Sequence, residues 1–327
     1  MKKNLIVSII VSNYNGASYF YNDHNLLWNV FSSLNETMYP NYKILLADDS
    51  STDNSIDYTK RNFPGIKIIK NKKNGGFAKN NNNAIKYALK KYKPDYILLL
   101  NNDIIIEDSK WLNKLLEIAE ADSKIGVVGC KLVYPNGRIQ HAGMEISYYG
   151  GRNMGRGQKD YGQFDYVKEV EGITFGIALI NKKVIERIGL LDENFFMGYE
   201  DIDYNIRAKK ANFKIYYTGN IKVIHLEGFS STNSKFKKVR LKSFTNYYVN
   251  FWYFLLKYKS MRQFSGINRL KAIFVFFLGF VFTIEGPTRE RKLINIRLQK
   301  NKVNKLLLSI KVIREAKRLY IKAKSKK

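Results

Sequence analysis

Tyr96-Ile97-Leu98-Leu99-Leu100-Asn101-Asn102-Asp103 ends an apolar run abruptly in two amides and a carboxylate, and Ile104-Ile105-Ile106 then resumes it. A short apolar run between polar turns reads as a strand buried on both faces, the kind that builds a parallel sheet. Open α/β sheets gather their ligands at the carboxyl ends of strands, which is where the amides and Asp103 fall. Asp103 accepts hydrogen bonds only and suits a hard cation with oxygen ligands. The same Asn-Asn-Asp is also ordinary turn chemistry, and alone it is more often only that.

The sequence before this stretch repeats its pattern. Leu5 to Val11 is apolar and is broken by Ser12-Asn13-Tyr14-Asn15-Gly16; a helical pattern from about Tyr21 to Leu34 stops before Pro40. Lys43 to Ala47 reads as a second strand ending in Asp48-Asp49-Ser50-Ser51-Thr52-Asp53, and Thr52 or Asp53 can cap a helix through Asn62. Ile66 to Ile69 is a third strand, followed by Asn74-Gly75-Gly76 and a helix from about Ala78 to Tyr92. Four alternations with short connections predict an α/β domain with a mainly parallel central sheet flanked by helices. Each strand ends in a polar cluster, so these clusters should share one rim.

After it, Asp108-Ser109 caps a helix through Ala121, and Ile125 to Val133 reads as a strand. Gly137 to Asp165 has no clear period. A strand at Ile173 to Asn181, helices at Lys182 to Ile188 and Glu200 to Lys210, and strands at Lys214–Tyr217 and Ile221–His225 complete the domain. A boundary is expected in Ser230–Lys238. This gives a domain over 1–230, its halves about 1–105 and 106–230, and a helical C-terminal region over 231–327.

Charge separates the two parts. The net charge is +28, and residues 235–327 carry 25 Lys/Arg against 3 Asp/Glu. Such a basic region serves nucleic acid, an anionic membrane surface or a polyanionic substrate. Phe244 to Tyr258 is aromatic-rich, and Ala272 to Ile284 is an unbroken apolar run of 13 residues. A spanning helix needs about 20 apolar residues, so this run either lies in the membrane interface or packs as a buried helix. Leu293/Ile296, Val303/Leu306/Leu307/Ile310 and Ile313 recur at helical spacing among Lys and Arg, the pattern of a basic amphipathic helix. The lone Cys130 allows no intrachain disulfide and fits a reducing compartment, as a small buried residue. No signal peptide is expected from Met1-Lys2-Lys3-Asn4 and the run that follows.

A phosphate loop, a dinucleotide fingerprint, a zinc His pair and paired cysteines are all missing, which disfavours ordinary NTPases, dinucleotide enzymes and zinc hydrolases. What remains is a series of acidic strand ends: Asp48/Asp49, Asp103, Glu200/Asp201/Asp203 at a helix start, and His225 at the last strand's end. Each has a plain structural explanation in capping, turn formation or helix-dipole compensation. Their co-occurrence in this order is poorly explained that way.

The series resembles that of the inverting family 2 glycosyltransferases of GT-A fold, over roughly residues 5–230. The resemblance rests on Val7–Gly16, Ala47–Ser55, Asn74-Gly75-Gly76-Phe77-Ala78, Leu99–Asp103, Leu190–Phe196, Tyr199–Tyr204 and His225. Asn136-Gly137-Arg138-Ile139-Gln140-His141-Ala142-Gly143 is most similar to the rhamnosyltransferase-like branch. The resemblance implies a nucleotide-sugar site at Ser12, Tyr14, Asp48, Asp49, Asn82 and Asn102. It also implies a divalent cation, Mg or Mn, on Asp103 and His225. Asp201 would be the general base, with Glu200 the alternative. The metal motif holds a single carboxylate, and Asn80 and Asn81 stand where many relatives have glycine. No Gln-x-x-Arg-Trp occurs, which argues for transfer of one sugar rather than processive synthesis.

The expected function is therefore transfer from a nucleoside-diphosphate sugar to a hydroxyl of a glycan or lipid-linked acceptor in polysaccharide biosynthesis. The expected place is the cytoplasmic, inner face of the cell membrane, with peripheral attachment. Two readings of other classes stand beside it: a nucleic-acid-binding protein acting through the basic region, the less favoured partner, and a non-catalytic glycan-binding relative.

Overall fold

The computed structural model describes residues 4–147, 150–227, 237–258 and 302–325. The run Ala272–Ile284 and most of Ser230–Lys238 lie outside them. The chain divides into two compact units, one of residues 1–146, 151–196 and 200–233, the other of residues 147–150, 197–199 and 234–327.

The first unit begins β1 (Val7–Asn13), β2 (Phe20–Tyr21), β3 (His24–Asn25), α1 (Leu26–Asn35), β4 (Tyr42–Asp48), α2 (Ser55–Asn62), β5 (Lys67–Lys70) and α3 (Phe77–Lys91). The quoted stretch follows as β6 (Tyr96–Asn101) and β7 (Ile104–Ile106), then α4 (Trp111–Glu120) and β8 (Ile125–Val133). Four short strands come next: β9 (Ile139–His141), β10 (Met144–Ser147), β11 (Gly150–Asn153) and β12 (Val167–Glu169). β13 (Ile177–Asn181), α5 (Lys182–Ile188), α6 (Glu200–Lys210) and β14 (Lys214–His225) complete it.

Ten strands form one sheet with the main order β12-β14-β8-β13-β6-β1-β4-β5. β5, β4, β1 and β6 run parallel, as do β8 and β14. In the quoted strand Tyr96 to Leu100 are all buried, as a strand covered by helices on both faces requires. β1 sits between β4 and β6, with Asn13 level with Asp48 and Ser12 level with Asn101. Three strands thus deliver their polar ends to one rim, at the point where successive connections depart to opposite sides of β1.

The structure departs from the periodicity in three places. The first helix starts at Leu26, not near Tyr21. Asn22 and Asp23 take left-handed φ values of 50° and 63°, folding β2 onto β3, and the Asn25 side chain then caps the helix by accepting from the Trp28 amide at 2.8 Å. The strand expected from Ile173 begins at Ile177 and lies antiparallel between β6 and β8. The two strands expected over Lys214–His225 are one, β14, with an irregular register between Thr218 and Lys222. Gly219 lies in that irregularity, where a Cβ would stand 1.8 Å from the Phe164 carbonyl oxygen.

The second unit contains α7 (Lys237–Lys257) and α8 (Lys302–Lys324), which pack together. Phe251, Tyr253 and Phe254 of α7 are fully buried, and the Asn250 side chain donates to the carbonyls of Met197 and Gly198 at 2.9 and 3.0 Å. From Lys311 onward α8 buries Val312 and Ala316 and exposes Ile313, Arg314, Lys317, Arg318, Ile321 and Lys322.

Candidate active site

A hydrogen-bonded line crosses the carboxyl rim from Asp48 toward His225. The Asn13 amide donates to Asp48 Oδ2 at 2.9 Å and to Ser51 Oγ at 3.1 Å, while its Oδ1 accepts from Asn102 Nδ2 at 2.7 Å. The next residue back, Asn101, turns its Nδ2 to within 3.4 Å of His225 Nε2. Asp48 is fully buried and also accepts from the Ser51 amide at 2.9 Å. Asn15 closes the two loops over each other: it is left-handed at φ 57°, and its Oδ1 accepts from the Thr52 amide at 2.7 Å. Tyr14, in contrast, stands 45% exposed at the loop's edge.

Asp49 and Asn82 hold chain segments in place. Asp49 accepts from the Gly75 and Gly76 amides at 2.8 Å each and from Asn71 Nδ2 at 2.8 Å. This lays the Asn74-Gly75-Gly76 loop against the end of β4. Gly76 has φ 82°, and a Cβ there would meet the Phe196 carbonyl oxygen at 2.0 Å, so the approach needs glycine. The Phe77 amide donates to that same oxygen at 2.8 Å. Asn82 exchanges both hydrogen bonds with the backbone of Leu191 and donates to Glu193 at 3.1 Å. Ser12 Oγ lies beside the amides of Asn80 and Asn81, at 3.3 and 3.2 Å. Where a glycine would leave space, these two buried amides form a polar floor behind β1.

Asp103 and His225 meet at the end of the line. β14 pairs antiparallel with β7, with His225 level with Ile104, and the Leu226 amide donates to the Asp103 carbonyl at 2.9 Å. His225 Nε2 lies 3.1 Å from Asp103 Oδ1, an ion contact, yet no donor is aligned on that buried oxygen. Burial works against a charged His225, but the Asp103 carboxylate and then Glu227 outweigh it and hold its pKa above the ordinary 6.5. An acceptor-only carboxylate oxygen without an aligned donor, beside an imidazole nitrogen, fits a divalent cation. The described residues contain no cluster of three or more His, Cys, Asp and Glu able to hold one, so other ligands would come from a bound molecule or water.

Asp201 reaches the same rim through the segment that leads into β13. Its carboxylate accepts from the Thr174 hydroxyl and the Phe175 and Ile202 amides. Gly176, the next residue, accepts at its carbonyl from the Asn101 amide at 2.9 Å, and a Cβ on it would stand 3.6 Å from His225 Cε1. Burial raises the Asp201 pKa above the ordinary 3.8, and these hydrogen bonds offset it only in part. Glu200 opens α6 and is buried. Asp203, fully buried, pairs with Arg207 at 2.8 Å, whose guanidinium also donates to the Ile188 and Leu190 carbonyls. Glu200 and Asp201 stand beside a structural carboxylate.

Three residues of the rim are not among the site residues expected from the sequence, although Asn13 and Gln140 fall in stretches that carry the resemblance. Asn13 reads as a turn residue, and Thr174 falls inside an expected strand. Gln140 lies in a segment without periodicity, yet it is buried, with Oε1 at 2.6 Å from His225 Nδ1. Its neighbour His141 is buried too, with Nδ1 3.0 Å from Asn153 Oδ1, and desolvation pushes its pKa down to about 4. Cys130 is likewise buried, and burial pushes its thiol pKa up.

An α/β sheet with a nucleotide-type half-sheet and acidic residues on its carboxyl rim defines the class. Residues 8–189, more than half of the chain, match the family described as Glycosyl transferase family 2, and the chain belongs to that family of glycosyltransferases. It is 27% identical over 209 residues to the O-antigen biosynthesis protein RfbC of Myxococcus xanthus, covering 62% of this chain and 16% of that protein. It is 24% identical to the low-salt glycan biosynthesis hexosyltransferase Agl10 of Haloferax volcanii, covering 75% of this chain and 73% of that one. With the rhamnosyltransferase WbbL of Escherichia coli it shares 27% identity over 46% of this chain and 60% of the relative. The chain thus spans only a sixth of the length of RfbC. Among solved structures, the mannosyltransferase PcManGT of Pyrobaculum calidifontis, in complex with GDP-Man and Mn2+, aligns over 99% of this chain and 76% of its own at 13% identity and a TM-score of 0.51. GalNAc-T7, with UDP, GalNAc and Mn2+, aligns over 86% of this chain and 57% of its own at 14% identity and a TM-score of 0.55. These two likenesses establish the GT-A fold.

Proposed function

We propose that this chain is a metal-dependent inverting glycosyltransferase that moves one sugar from a nucleoside-diphosphate sugar to a hydroxyl of a glycan or lipid-linked acceptor. The observation that carries the reading is the line of side chains Asp48–Asn13–Asn102, continued by Asn101–His225–Asp103, with Asp201 held by Thr174 and Phe175 just ahead of Gly176, whose carbonyl accepts from the Asn101 amide. It supports a donor laid along the rim, nucleotide toward Asp48 and diphosphate toward Asp103. Relatives named for O-antigen and glycan biosynthesis, and fold neighbours holding nucleotide sugars with Mn2+, support the substrate class and the metal.

In this reading Tyr14 offers its exposed ring to the nucleotide base, while Asp48, Asn13, Ser51 and Ser12 shape the pocket beneath. Asn102 and Asn82 contribute by holding Asn13 and the Leu191 segment. Asp103 and His225 would hold Mg or Mn, which when bound neutralises charge on the departing diphosphate. Asp201 takes the proton of the acceptor hydroxyl as its oxygen attacks the anomeric carbon. The new C–O bond forms on the face opposite the breaking bond to the diphosphate, which leaves with its electron pair, so the anomeric configuration inverts. Thr174 and the Phe175 amide orient that carboxylate, and a raised pKa makes it a better base than an exposed aspartate. Glu200, one residue away, is the alternative base.

The basic exposed face of α8 supports peripheral attachment to an anionic membrane surface, on the inner face of the cell membrane, where a lipid-linked acceptor would be met. No helix among the described residues is long and apolar enough to cross a membrane.

A thermal-shift screen of nucleoside-diphosphate sugars with and without Mn2+ tests the proposal. A donor at 100 times its dissociation constant stabilises the native state by about 2.7 kcal/mol, a readily measured rise in Tm. If every such donor left Tm unchanged in both conditions, the reading would be lost.

A further inference from the structure

Gln140 is 2% exposed, and both ends of its amide are engaged. Nε2 lies 3.0 Å from Glu227 Oε2, and Oε1 lies 2.6 Å from His225 Nδ1. The amide's orientation follows from its neighbours. Glu227 only accepts, and it is itself fixed by the Tyr134 hydroxyl at 2.9 Å and by Arg156 Nη2 at 2.8 Å. Gln140 must therefore present its NH2 to Glu227 and its carbonyl oxygen to the imidazole. A carbonyl oxygen only accepts, so His225 Nδ1 must carry the proton. In the neutral ring, Nε2, the nitrogen facing Asp103 Oδ1, is then the one with a lone pair to give.

We propose that Gln140, aimed by Glu227, is a positioning residue that fixes His225 in the tautomer and ring orientation needed to ligate a divalent cation through Nε2. The inference rests on the reading of Asp103 and His225 as the cation's ligands. It adds a relay, Arg156/Tyr134–Glu227–Gln140–His225, in which a carboxylate sets an amide and the amide sets an imidazole. A leucine of similar size would fill the same volume, but Nδ1 would be left without an acceptor. A buried amide held at both ends is costly to desolvate, and packing alone gives no reason for it.

The test uses the full chain and Mn2+ titrated with inorganic pyrophosphate present, bound metal being read by electron paramagnetic resonance. Gln140→Leu is expected to weaken Mn2+ binding about 10- to 100-fold, the usual cost of losing such an orienting partner. The exchanged pair Gln140→Glu with Glu227→Gln keeps an acceptor on Nδ1 and is expected to restore binding to within a few-fold of the parent. Asp103→Asn is the control. If it weakens binding while Gln140→Leu does not, or if the exchanged pair fails to recover what Gln140→Leu loses, the positioning role is overturned and the cation site stands. If Asp103→Asn binds like the parent, the cation reading fails and this inference falls with it. The chain has three histidines, so a 15N long-range correlation spectrum of the unaltered protein at alkaline pH gives an independent reading. A proton on His225 Nδ1 is expected; one on Nε2 would overturn the proposal even if no variant folded.

Discussion

His225 Nε2 stands 3.1 Å from Asp103 Oδ1, and the two residues come from neighbouring antiparallel strands tied by the hydrogen bond from the Leu226 amide to the Asp103 carbonyl. Strand pairing therefore sets the spacing of the two side chains, and no loop has to fold over to bring them together. Asn101 and Asn102, the other residues of the motif, add no charge. Asp103→Asn removes its only carboxylate while keeping its size. A cation's stabilisation of a leaving phosphate is worth several kcal/mol, so transfer should fall by about a thousandfold or more. Mn2+ should also lose its effect on donor binding, checked by the thermal shift with and without the metal.

Asp201 offers a prediction in pH. A base must be ionised to accept the acceptor's proton, so kcat/KM should rise with pH through the Asp201 pKa and level off above it. Burial raises that pKa, so the rise should centre above the ordinary 3.8. Asp201→Asn should lower kcat about 10²- to 10⁴-fold, remove this limb from the residual rate and leave donor KM nearly unchanged. Glu200→Gln should keep both rate and limb. The opposite pattern would make Glu200 the base.

How far the sequence carries depends on the kind of residue. Tyr96–Leu100 is buried on both faces, so an uninterrupted apolar run marked it, and its polar end fell on the rim as expected; Ile125–Val133 is buried throughout although Lys131 interrupts its apolar pattern. The strand order and the antiparallel insertion of β13 depend on pairings between distant segments, which local periodicity does not encode. Asp103 and His225 stood out as charged groups at strand ends. Asn13, Thr174 and Gln140 did not, because their importance lies in a partner 35, 27 or 85 residues away. Asp49 and Asn82 have the opposite lesson. They are conspicuous in the sequence, and in the structure their polar atoms are engaged in holding the Gly75-Gly76 loop and the Leu191 segment.

Gly76 should tolerate no side chain. Its φ of 82° is already unfavourable for alanine, and the added Cβ would lie 2.0 Å from backbone at Phe196, which cannot swing aside as a side chain can. Gly76→Ala should cost about 1–3 kcal/mol for the conformation, and more for the displaced backbone. Gly65→Ala, with open space around its Cβ position, is the matched control and should change stability little. Chemical denaturation midpoints of the two variants measure the difference. Because Asp49 anchors the Gly75-Gly76 loop, Gly76→Ala should also weaken donor binding.

The exposed face of α8 sets the last expectation. Arg314, Lys317 and Lys322 lie on the side of the helix opposite the buried Val312 and Ala316, around the exposed Ile321. A basic residue close to an anionic bilayer contributes about 1 kcal/mol, and each 1.4 kcal/mol is a tenfold change in partitioning. Replacing the three by glutamine should therefore weaken binding to vesicles containing phosphatidylserine by roughly a hundredfold at low salt. Neutral phosphatidylcholine vesicles should bind the parent and the variant equally weakly. Thermal stability should stay within about 0.5 kcal/mol, because exposed side chains away from any special contact contribute little to folding. Co-sedimentation across a series of phosphatidylserine fractions measures the effect, and equal binding by parent and variant would exclude this face of α8 as the membrane contact.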